Sequence, residues 1–160
     1  MLFSGIFKKP TYELCVAHYY RGKDEHGRVK PFHRAITIVT DGTAQPARGT
    51  VFQVAQSNGK LSRLYQLADS DVTLSQIPER YSGRVKIGEV KGAGEMRLVE
   101  RILRGVPVDH GPELQWTGRN WARDGVRKLA TAGFVDQAAI ARMNDELARM
   151  ETEYILTLSA

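Results

Sequence analysis

The chain has 160 residues, 42% hydrophobic and 26% charged, which is the size and balance of one globular domain with its own core. Its single cysteine, Cys15, excludes an internal disulfide framework. The net charge of +5 is gathered at the start, with 8 basic and 4 acidic residues in the first fifty and an excess of only one thereafter. Nucleic-acid binding calls for a concentrated basic patch with aromatic residues beside it, so no nucleic-acid partner is expected.

Met1 to Phe7 is apolar but short and runs into Lys8-Lys9-Pro10, without the long apolar stretch and cleavage site of a secretory signal. No later run approaches the roughly 18 residues of a membrane helix. The expectation is a soluble, cytoplasmic protein with no membrane span.

The first half reads as strands. Tyr12 to Tyr20 alternates Leu14, Val16 and His18 with Glu13, Cys15 and Ala17, which predicts a strand near the core. Arg21 to Pro31, charged and with two glycines, reads as a solvated loop. His33 to Thr40 is apolar on both faces, as a central strand requires. Thr50 to Ala55 makes a third strand, and Asn58-Gly59 is a strong hairpin signal that pairs Leu61 to Gln66 back onto it. Arg84 to Val90 makes one more.

Helical spacing then takes over. Gly92 to Arg104 carries an apolar stripe of Leu98, Val99, Ile102 and Leu103, and Gly105 with Pro107 ends it. Val106 to Gln115 is a connector. Thr117 caps a helix through Ala132 whose Trp121, Gly125, Val126 and Leu129 share a face, and Gly133 closes it. A last helix starts at the cap Asp136 and runs to about Leu158, with Ile140, Met143, Leu147, Met150 and Tyr154 at alternating spacings of three and four. That stripe serves either intramolecular packing or a homodimer seam through Ile140, Met143, Leu147 and Met150. The fold class is α+β: an N-terminal antiparallel sheet of about five strands packed by two to three C-terminal helices, in a single domain spanning 1–160.

The chemistry-bearing residues are few. His18, His26, His33 and His110 lack the spacing of metal ligands, so no metal is expected. Gly92-Ala93-Gly94 opens a helix without the Lys-Ser or Lys-Thr of a phosphate loop, and no cofactor is expected. What stands out is His33 opening a central strand, with a helix N-terminus much later inside Trp116-Thr117-Gly118-Arg119-Asn120-Trp121.

Five blocks, Tyr12 to Gly22, Phe32 to Val39, Gly49 to Gln56, Arg97 to Val108 and Gln115 to Leu129, are similar to those of a family of small fungal proteins. The family's blocks read YVALYARG, YHWALIV, GMRFHAKE, RLEAILRRTPV and GWNCVGWVKEALEAL. That family resembles the circularly permuted papain-like folds, which include the lecithin:retinol acyltransferase-like enzymes. There a cysteine at a helix N-terminus is activated by the positive end of the helix, a strand histidine relays the proton, and a third polar group orients the imidazole. The resemblance places His33 on the family's strand histidine, Gln53 on its second histidine and Gly118 on its cysteine. With no side chain at Gly118, cysteine hydrolase activity is not expected. Cys15, in a strand interior without dipole or free N–H donors, does not replace it.

Three functional readings follow. The first is a catalytically degenerate papain-like protein that binds a small molecule or peptide in the former active-site cleft. Arg34, Trp116, Gly118, Arg119, Asn120 and Trp121 would contact the ligand, and the Arg34 cation beside His33 suits an acidic one. The second is a non-covalent isomerase- or cyclase-like enzyme with His33 as general acid/base, Gln53 as its orienter and the N–H groups of the Gly118 to Asn120 turn stabilising an oxyanion or enolate. The third is an interaction module that uses the last helix. Removing a side chain at Gly118 is also expected to open a space above exposed N–H groups, favourable to an anion.

Overall fold

The computed structural model describes residues 7–44, 47–57, 60–66, 72–74, 80–108 and 118–159. The strands are β1 (Thr11–Tyr19), β2 (His33–Asp41), β3 (Arg48–Ser57), β4 (Lys60–Gln66), β5 (Val72–Thr73) and β6 (Tyr81–Lys91). Three helices follow: α1 (Gly92–Arg104), α2 (Gly118–Thr131) and α3 (Gln137–Leu158). The class is α+β, an antiparallel sheet followed by three C-terminal helices.

The sheet runs β4-β3-β2-β1-β6, with the short β5 pairing β3 off this path. Every pairing is antiparallel. Ser57 opposite Lys60 is the register a two-residue hairpin turn imposes, although Asn58 and Gly59 themselves lie outside the described residues. Two elements depart from expectation. β5 carries no sequence signal because two residues are too few for a period, and β6 begins three residues early, at Tyr81.

Burial on both faces marks β1 and β2 as interior strands, as their apolar runs require. One face, with Leu14, Val16, Ile36, Ile38 and Phe52, forms the main core with Val99, Leu103, Trp121, Val126, Leu129 and Leu147 from the helices. The other is a smaller cluster of Cys15, Ala35, Val39, Ala47, Val51 and Leu74. Burial pushes the Cys15 thiol up to about 12, helped by the charge of Glu13, so it is inert at neutral pH.

The helix ends follow local chemistry. The Asp136 side chain accepts a hydrogen bond from the Ala139 N–H, capping α3. At the end of α2, Gly133 takes φ +89° and the Phe134 N–H reaches the Leu129 carbonyl at 2.9 Å, the closure that favours glycine there. The turn that follows approaches the edge strand β6 so closely that a Cβ on Gly88 would run into the Phe134 carbonyl oxygen.

α3 lays Met143 and Leu147 into the main core, with Ile140 and Met150 packed against it, so its stripe serves intramolecular packing. In α1, Val99 and Leu103 are buried but Leu98 is 41% exposed. Its stripe is wider than the strip of sheet and α2 that the helix covers.

Candidate functional site

His33 opens β2 and Gln53 lies in β3. The strand period puts both on the face away from the helices, with Val39 and Val51. The His33 Nε2 lies 2.8 Å from Gln53 Oε1. With that oxygen accepting, Nε2 carries the proton and Nδ1 presents its lone pair. Burial holds the imidazole below its ordinary value, opposed by the Gln53 bond, so it is neutral at pH 7. Tyr19 flanks the ring, with centroids 5.9 Å apart.

The other side of the His33 ring meets the start of α2. A Cβ added to Gly118 would lie 3.3 Å from His33 Nδ1 and Cε1, and 3.1 Å from the Val54 carbonyl oxygen. His33 thus stands between Gln53 and position 118, the two positions that the resemblance sets beside it, with one nitrogen toward each. Backbone conformation does not demand glycine here, because Gly118 is not among the glycines with positive φ. The expected open space above the helix N-terminus is not found, since the buried Gly118 packs against the His33 ring and the Val54 carbonyl.

Arg34 is not beside His33 in space. Successive strand residues point to opposite faces, and Arg34 shares the helix face with Ile36 and Ile38. There it lines a cavity of about 450 Å³ between the start of β2, α2 and α3. Arg119 and Asn120 line it too. Trp121 does not, because it is fully buried in the main core, and Trp116, Thr117 and His110 lie outside the described residues.

Sequence reading missed the rest of this wall. Arg123 and Arg127 extend Arg119 along one side of α2 at four-residue steps, a signal present in the sequence. Behind it, Glu151 of α3 lies 3.0 Å from Nε2 of the fully buried His18 and 3.6 Å from Arg119. The His18 imidazole is pushed down to about 3, first by burial and then by the charges of Arg34 and Arg119. Burial and the charge of Arg119 also lower Arg34 to about 10, against the pull of Glu151. Residues 133 positions apart in the chain, such as His18 and Glu151, give no sequence signal of their meeting.

Among the described residues no group of three His, Cys, Asp or Glu side chains could hold a metal, and no helix is long and apolar enough to cross a membrane. Fold and site together define an α+β protein with a half-buried, oriented histidine facing a helix N-terminus. Residues 11–154 match a family of unknown function, DUF6914, and the chain belongs to that family. No curated protein and no solved structure matches it.

Proposed function

We propose that the chain is a catalytically degenerate papain-like protein, one that binds a small molecule or peptide and lacks covalent chemistry. The observation carrying this reading is the His33 ring, held at Nε2 by Gln53 and facing position 118 with Nδ1. A papain-like nucleophile needs that polarity: the base nitrogen toward the thiol at a helix N-terminus, the second nitrogen oriented by a polar side chain. Gly118 supplies no nucleophile. Cys15, buried in β1 with its thiol raised to about 12, supplies none either. Gln53 brings no charge to stabilise an imidazolium. An acid/base enzyme needs substrate against Nδ1, and that approach is taken by the start of α2, which speaks against altered catalysis at His33.

The test is to restore the thiol. The Cβ of Gly118→Cys needs the Val54 carbonyl and the His33 ring each to give by a few tenths of an ångström. Treated with iodoacetamide at pH 6 and read by mass spectrometry, the variant is expected to take one label at position 118 at least tenfold faster than a free thiol. The unmodified chain takes none, and His33→Asn in the Gly118→Cys background removes the advantage. Labelling at the free-thiol rate, unaffected by His33→Asn, overturns the reading.

A further inference from the structure

We propose that the cavity between β2, α2 and α3 binds an amphipathic anion: a small molecule with one carboxylate or phosphate group on an apolar body. Four arginines, Arg34, Arg119, Arg123 and Arg127, stand on its wall, and no carboxylate is among the described residues that line it. Charge so concentrated selects for an oxyanion, which guanidinium groups bind in fork geometry. The remaining wall is apolar, including Val16, Val126, Ile140 and Met143, so a bare inorganic ion would leave most of the surface without a partner.

The interior shows the same imbalance. Among the described residues Arg34 and Arg119 both feel the carboxylate of Glu151, while the neighbouring His18 imidazole stays neutral. The Arg34 Nε is buried with no hydrogen-bond partner among the described residues. Asp124, which does not line the cavity, meets Arg123 at 3.2 Å and Arg127 at 3.8 Å, and both arginine side chains are more than half exposed. A half-buried Arg34 whose Nε lacks a partner among the described residues gains from a further negative charge. The volume of about 450 Å³ falls within the range typical of small-ligand sites, roughly 300–1,000 Å³.

This inference rests on the ligand-binding part of the reading above and not on its papain-like part, since it uses different residues and the opposite face of the sheet. Failure of the Gly118→Cys labelling therefore leaves it standing, and its own failure leaves that labelling intact.

Isothermal titration calorimetry with octanoate, octyl phosphate, octanol and inorganic phosphate tests it. Octanoate or octyl phosphate is expected to bind at least tenfold tighter than octanol and than inorganic phosphate, and the stronger of the two identifies the head group. Arg34→Met should weaken that binding tenfold or more, and Arg123→Met, at the exposed mouth, about threefold. Glu151→Gln, which removes the internal counter-charge, should tighten it severalfold, and Arg149→Gln on the outer side of α3 should leave it unchanged. Circular dichroism establishes that each variant is folded, and Arg123→Met keeps the test alive if Arg34→Met is not. Octanol binding as well as either anion, inorganic phosphate binding as well as octyl phosphate, no binding by any probe, or insensitivity to the arginine variants would each overturn the proposal.

Discussion

The two faces of the sheet are both buried, but they are built for different purposes. The helix face is covered by three helices and holds the large side chains Phe52, Ile36, Ile38, Leu14 and Trp121. The opposite face is lined by smaller ones, Cys15, Ala35, Val39, Ala47 and Val51, with Leu74 as its largest buried member. Polar function divides in the same way, since His33 and Gln53 stand on the small face and Arg34 with His18 on the helix face. Neighbours in sequence are therefore separated by the thickness of a sheet. In a strand buried on both sides, adjacency in the chain is the poorest guide to which residues act together.

The sharpest way to break this contrast uses two neighbours in β3. Phe52→Ala should cost about 3–5 kcal/mol, the range for deleting a buried aromatic ring, and Val51→Ala about 1.5–2 kcal/mol for two lost methyl groups. Urea unfolding measures both, and equal losses would show that the small face carries as much of the core as the helix face does. Attachment of the helix layer at the sheet edge comes next. Gly88→Ala forces a Cβ into the Phe134 carbonyl and should destabilise by about 1–3 kcal/mol. Gly94→Ala, where a Cβ meets nothing within 4 Å, should stabilise α1 by about 0.5–1 kcal/mol.

Acid then separates the faces through their histidines. His18 sits near 3 when folded, against 6.5 as its ordinary value, so between those pH values the unfolded chain binds the proton that the folded chain refuses. Stability is full above about pH 6.5 and falls as pH drops toward 3, with a slope of up to about 1.4 kcal/mol per pH unit from this group. His33 adds to it with the same sign, its folded value also being lowered by burial. Thermal unfolding from pH 7 to 4 should show the decline, and His18→Asn should flatten it. An unchanged slope in that variant would place the acid sensitivity elsewhere. The smallest effect is at the start of α3, where Asp136→Ala loses the cap to Ala139 and should cost about 1 kcal/mol, read as a shift in the urea midpoint.

Much of the fold was legible in the sequence because its signals are local. The Asn58-Gly59 pair pointed to the pairing of β3 with β4, Asp136 marked the start of α3, and Gly133 closed α2. The apolar faces of α2 and α3 read correctly, since the helical period marks the side each turns to the core. Leu98 was misplaced because periodicity reports which side of a helix is apolar, not how wide a surface awaits it. The triangle of His33, Gln53 and position 118 came from resemblance, and no spacing could have supplied it. The arginine-lined cavity was half legible: the steps from Arg119 to Arg123 and Arg127 are visible in the sequence, whereas Arg34 and Glu151 join them only through sheet register and the docking of α3.

The most direct test of the account is the protonation state of His33 in the unaltered chain, read from long-range proton–nitrogen correlation spectra between pH 6 and 8. The Gln53 contact and the burial of the ring predict a neutral imidazole with its proton on Nε2, titrating below the ordinary value near 6.5, and loss of that tautomer preference in Gln53→Leu. A proton resident on Nδ1, or a ring charged at pH 7, would contradict it, because no lone pair would then face position 118.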